Sequence, residues 1–152
     1  MSAHGVPTTY MGRIFGIAVV VAIQAINGVI HVPSGLLLVF AETIGTSFLP
    51  FLNFPMSFFL LRTYGAYTFL YGLLTLIFAY GLWTGKRWGW IGTAAISIFV
   101  TVVDILTVLE LPIIPGVPEF AGIIEIPYSL AVLFYMIQPH VRHEFLNRKL
   151  EA

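Results

Sequence analysis

Gly81-Leu82-Trp83-Thr84-Gly85-Lys86-Arg87-Trp88-Gly89-Trp90 is a tight basic loop ringed by tryptophans, with a long apolar run on either side. Two adjacent cations cannot lie in hydrocarbon, and amphipathic indole rings favour the headgroup layer. The loop therefore marks a membrane surface, with Trp83, Lys86, Arg87, Trp88 and Trp90 as its interface anchors. Basic loops are retained in the cytoplasm, so it also orients everything before and after it.

The composition agrees with that reading. Of the 152 residues, 59% are hydrophobic and 9% charged, and the mean hydropathy of +0.95 lies outside the range of a soluble domain. The expected object is one small integral membrane domain. Formal net charge is zero, and every basic residue except Arg62 lies at a span boundary or in a tail. With no basic face to offer, the chain is not expected to bind nucleic acid. The absence of cysteine excludes disulfides, thiolate metal sites and thiol nucleophiles.

Four runs are long and apolar enough to span a bilayer core of about 30 Å. They cover about 14–40, 58–82, 91–109 and 120–137. The first run passes beyond signal-peptide length with no small-residue cleavage site, so it is expected to be a retained helix. Pro33, flanked by Ser34 and Gly35, predicts a kink or an end near the outer surface. Pro127 is expected to be tolerated in the fourth helix, where buried neighbours satisfy the freed carbonyl. Residues 1–12 form a polar tail in this reading, 42–57 an outer interfacial segment, 110–119 an extended outer loop, and 139–152 a charged tail able to form a helix. The architecture is an all-α, four-helix up-down bundle. Charges orient it: Arg13, Lys86, Arg87, Arg142, Arg148 and Lys149 fall on one side and Glu42, Glu110 and Glu119 on the other, with only Arg62, at the outer end of the second helix, out of place. Both termini are thereby expected in the cytoplasm, with the protein multi-pass in the cell membrane.

Three pieces carry a resemblance: Gln24-Ala25-Ile26-Asn27-Gly28, the Gly-Leu-Trp-x-Gly-Lys-x-Trp loop at 81–88, and Pro139-His140-Val141 followed by Phe145. Together they resemble a broad group of small four-span prokaryotic membrane proteins of unknown function, over about Arg13 to Phe145. The resemblance implies the four-span topology and brings no activity with it.

Each span carries a polar stripe at helical spacing. Gln24, Asn27, His31 and Ser34 share a face in the first helix, and Tyr64, Tyr67, Tyr71 and Thr75 share one in the second. The third carries Thr93, Ser97, Thr101, Asp104 and Thr107, and the fourth Glu125 and Ser129. Lipid offers these groups no partner, so the stripes should face one another. Asp104 and Glu125 each lie 13 residues from the tight-loop boundary, counted from Ile91 and Gln138. That is roughly 20 Å of helical rise for both. With His31 and Arg62 nearby in depth, a cluster of His31, Arg62, Asp104 and Glu125 is geometrically allowed.

Such a cluster has three readings. Arg62 could neutralise a carboxylate while hydroxyls and amides hold the helices together; the stripes could carry protons or cations; or His31, Asp104 and Glu125 could ligate a divalent ion. No short-spacing ligand motif, haem histidine pair, phosphate loop or serine elbow occurs, so no metal, cofactor or catalytic residue is expected. The leading functional expectation is a non-catalytic accessory subunit of a larger membrane complex, such as a respiratory or other membrane-bound oxidoreductase assembly. Its partners would be lipid and other membrane subunits or further copies of itself. The alternative is a small proton, cation or solute channel or carrier, with a membrane enzyme third.

Overall fold

The computed structural model describes residues 8–41 and 57–147. Five helices follow in chain order: α1 (Thr8–Val39), α2 (Phe58–Trp83), α3 (Arg87–Val108), α4 (Glu119–Met136) and α5 (Pro139–Asn147). There is no strand among the described residues. The first four contain apolar stretches of 25, 26, 22 and 18 residues. Even the shortest rises about 27 Å, close to the bilayer core thickness. The interfacial segment expected at 42–57 lies outside the described residues, apart from Ser57, whose hydroxyl accepts from the Leu60 amide and caps α2.

Two details differ from expectation. α1 begins at Thr8, inside the stretch expected to be a tail, because extending an existing helix adds a hydrogen bond for each residue fixed. It also runs through Pro33 without ending. In hydrocarbon an unwound strand would expose unsatisfied peptide groups, so losing one hydrogen bond is the smaller cost.

Glycine brings α1 and α2 together. Gly28 and Gly35 face Gly72 and Gly65, and a Cβ at Gly35 or Gly72 would strike backbone of the opposite helix. The four lie seven residues apart on each helix, which keeps them on one stripe. This is small-residue packing, the means by which helices associate when lipid supplies no hydrophobic drive. Gly81 and Gly89 make a second backbone-to-backbone approach, between α2 and α3.

The α2–α3 turn closes by a Schellman motif. The Gly85 amide donates to Leu82 O (3.0 Å) and the Lys86 amide to Gly81 O (2.8 Å), with Gly85 at φ 66°. α3 ends the same way, but there the left-handed position holds Glu110, at φ 61°.

A hydrophobic core at the tight-loop end joins Val20, Leu82, Val132 and Met136 to Val141 and Phe145 of α5. Within the stretch expected to be a charged tail able to form a helix, Pro139–Asn147 is an amphipathic helix that seals this end, and Val141 and Phe145 lie one turn apart on its apolar face.

Candidate functional site in the membrane interior

The long α1–α2 seam and the close packing of α3 on α4 divide the bundle into two helix pairs. Hydrogen bonds within the pairs are Asn27 Nδ2 to Tyr71 Oη (2.9 Å) for the first. The second has Thr101 Oγ1 to Ser129 Oγ (2.8 Å) and Trp90 Nε1 to Met136 O (2.9 Å). Between the pairs run Thr93 Oγ1 to Gln24 Oε1 (3.4 Å) and His31 Nε2 to Glu125 Oε1 (3.3 Å). The polar stripes therefore meet at the junction of the pairs. Gln24, Tyr71, Thr93, Ser97, Thr101, Asp104, Thr107 and Ser129 are all buried, and Asn27 and Tyr67 are half-buried.

His31 is held from three directions. Its Nδ1 lies 2.8 Å from the Asn27 carbonyl oxygen, Tyr71 stands edge-on to its ring with centroids 5.1 Å apart, and Glu125 meets Nε2. A carbonyl can only accept, so Nδ1 carries hydrogen. The Nε2–Oε1 contact then requires one proton. Either imidazolium donates to carboxylate, or a carboxylic acid donates to neutral imidazole, and the pair is net neutral both ways. Histidine and glutamate are each about four-fifths covered, with 19% of each side chain exposed.

Asp104 is the other carboxylate. At 1% exposure it is deeply buried, and α4 crosses α3 beside it at Gly122. Glu125 lies three residues, about one turn, further along α4 from that crossing. Among the described residues Asp104 Oδ2 has no hydrogen-bond partner, and neither has Tyr67 Oη. Tyr67 stacks on Tyr71 with centroids 6.2 Å apart. By contrast, Thr75, Thr101 and Thr107 bond back to carbonyls of their own helix, which is ordinary satisfaction of a hydroxyl in an apolar span.

Thr101 and Ser129 add a further property. Their hydroxyls face each other while Thr101 Oγ1 also lies 2.7 Å from Ser97 O and Ser129 Oγ 3.1 Å from Ile126 O. Two hydroxyl hydrogens serve three contacts, so the direction of the bond between them can reverse.

Arg62 is exposed on α2, and Glu125 Oε1 lies 3.3 Å from His31 Nε2. Among the described residues no three histidine, aspartate or glutamate side chains come together as metal ligands; His31, Asp104 and Glu125 do not form such a set. Trp83, Lys86, Arg87 and Trp88 are exposed at the tight loop. Trp90 is half-buried, and its bond to Met136 O ties α3 to the end of α4. Tyr128 escaped the sequence reading although it sits one turn from Glu125, a spacing that could have found it.

Towards the end distant from the tight loop, α1 and α4 leave a recess of about 240 Å³ between them. Ile23, Ile26 and Ile30 of α1 and Ile124 of α4 form its rim, while Asn27, His31, Glu125 and Tyr128 lie along its floor.

A family model described as "Predicted membrane protein (DUF2127)" matches residues 59–112, the stretch from the start of α2 to just beyond α3. This is a multi-pass membrane protein. The match centres on the tryptophan-flanked loop and the two spans that it joins. No curated protein and no solved structure matches the chain.

Proposed function

We propose that this membrane protein passes protons along the polar file between its two helix pairs, with the Lys86–Arg87 loop and both termini on the cytoplasmic side. The observation that carries this reading is the His31–Glu125 contact, which holds one exchangeable proton at membrane depth beside the buried carboxylate of Asp104. Ionisable groups in a span are costly and face protein or water when they occur. A scaffold would gain by pairing every buried oxygen, whereas Asp104 Oδ2 and Tyr67 Oη lack partners among the described residues. The file continues towards the tight loop through Thr101–Ser129 and Gln24–Thr93, groups able to hold water or hand on a proton. The basic loop and the outer acids support the orientation through the retention of cationic loops.

The test is proton flux into liposomes containing the purified protein, driven by a potassium diffusion potential and read with an entrapped pH dye. Flux above empty liposomes that collapses in Asp104→Asn with Glu125→Gln supports the reading. Equal flux in wild type and the double variant ends it.

A second reading, the accessory subunit, is favoured by α1, of whose span only 17% is buried, the least of the four. That face would suit another subunit or a second copy. Gentle extraction followed by intact-complex mass measurement decides it: a stoichiometric companion supports the role, and a lone monomer removes it.

A further inference from the structure

We infer that the α1–α4 recess is a binding site, entered sideways from the bilayer, for a neutral single-chain amphiphile whose hydroxyl head donates to Glu125. The inference stands apart from the proton path, since occupancy of the recess does not require protons to cross the bundle.

The rim decides between a helix and a chain as occupant. Where this protein accepts a helix, at the α1–α2 seam, it offers glycines. Here it offers exposed isoleucines, Ile26, Ile30 and Ile124 among them. Branched side chains keep a second helix backbone at a distance but line a slot well suited to a flexible hydrocarbon chain. The volume of about 240 Å³ takes a small head and a few methylenes, leaving the remainder of the chain in lipid.

The floor decides the head. His31 lies eight residues inside the end of α1 and Glu125 six residues inside the start of α4, roughly 12 Å and 9 Å of helical rise. A phosphate head would have to leave the interface to reach them, and among the described residues no lysine or arginine lines the recess to receive it. The pair is net neutral in either proton arrangement, so neither an anionic nor a cationic head finds a counter-charge in it. With Nδ1 donating to Asn27 O and one proton held in the Nε2–Oε1 contact, the pair keeps only acceptor capacity, on Glu125, partly exposed at a depth where hydrocarbon provides none. Asn27 and Tyr128 beside it complete a floor that suits a neutral oxygen-bearing head.

Photolabelling tests this on the whole protein in phosphatidylcholine nanodiscs, using a hexadecanol analogue with a mid-chain diazirine and peptide mass mapping. The expected result is adducts concentrated on Ile23–His31 and Ile124–Tyr128, reduced several-fold by excess plain hexadecanol. Ile26→Trp and Ile124→Trp should reduce them similarly, and since both residues already face outward these variants should fold. Adducts spread evenly over other lipid-facing residues such as Phe15, Leu70 and Phe134, without competition, would overturn the inference. So would a diazirine phosphatidylcholine that labels the same two segments and is not displaced by hexadecanol.

Discussion

α1 meets two neighbours in opposite ways. Against α2 it presents Gly28 and Gly35, and the backbones approach so closely that the seam has no room for another atom. Against α4 it packs Val20 on Val132 and Met136 near the tight loop, but further along it presents His31 in a recess rimmed by isoleucine, bridged by the His31–Glu125 bond. The first interface is closed and held by dispersion. Along the recess the second is open, polar and accessible from lipid. One helix can serve both because its stripes are rotated: Gly28 and Gly35 lie on one side, and Gln24, Asn27 and His31 on the adjacent one. The lesson is that small residues mark where this protein is fixed, and ionisable residues mark where it can act.

The largest effect should come from closing the distinction at the seam. In Gly35→Leu the new side chain meets Phe69 and Gly65 backbone, and overpacking against backbone costs about 3 kcal/mol or more. A large fall in thermal stability in detergent, with loss of the monodisperse peak, is expected; an unchanged melting temperature would mean that the seam is looser than the structure shows.

Asp104→Asn acts in the other direction. Asparagine keeps the unpaired polar atom but removes the ionisable charge, which costs more than a neutral amide to hold in a span, so the melting temperature should rise even as flux falls. Stability gained against activity lost is the pattern of a functional site. A variant that is both less stable and inactive would instead place Asp104 among the structural groups.

The two helix caps give a smaller effect. Both α2 and α3 end in Schellman motifs, one with Gly85 and the other with Glu110 in the left-handed region. A side chain there costs about 1–2 kcal/mol. Gly85→Ala should therefore destabilise, and Glu110→Gly should stabilise by about 1 kcal/mol, less the added freedom of the unfolded chain. Denaturation midpoints of the two variants check the signs.

The smallest effect expected is the Asn27–Tyr71 bond. A double-mutant cycle with Asn27→Leu and Tyr71→Phe should return a coupling near 0.6 kcal/mol, the usual worth of a hydrogen bond between spans. A coupling several times larger would mean that this bond also sets the position of His31.

The spans and the polar interior were legible because lipid leaves polar groups few options. The spacing of Gln24, Asn27 and His31, or of Thr93, Ser97 and Thr101, could point only inward. The glycine seam was written equally plainly, in Gly28 and Gly35 and in Gly65 and Gly72, but a seven-residue repeat on two helices acquires meaning only when the helices are paired. Gly81 and Gly89, at the two ends of the basic loop, likewise pack backbone to backbone in the α2–α3 corner. The terminal stretch looked like a tail through its charges. Val141 and Phe145, one turn apart, were the signal that one face of it is apolar.

The most direct test asks whether the file between the helix pairs holds water. The chain has no cysteine of its own, so single reporters can be placed at Ser97 and Thr101 on the polar face of α3 and at Val100 and Val103 in its apolar packing. Thiols ionise and react only where water reaches them. Reaction with a small charged methanethiosulfonate in intact proteoliposomes should modify Ser97→Cys and Thr101→Cys many times faster than Val100→Cys and Val103→Cys. Equal inertness at all four positions would contradict a hydrated path and leave the polar file as helix packing alone.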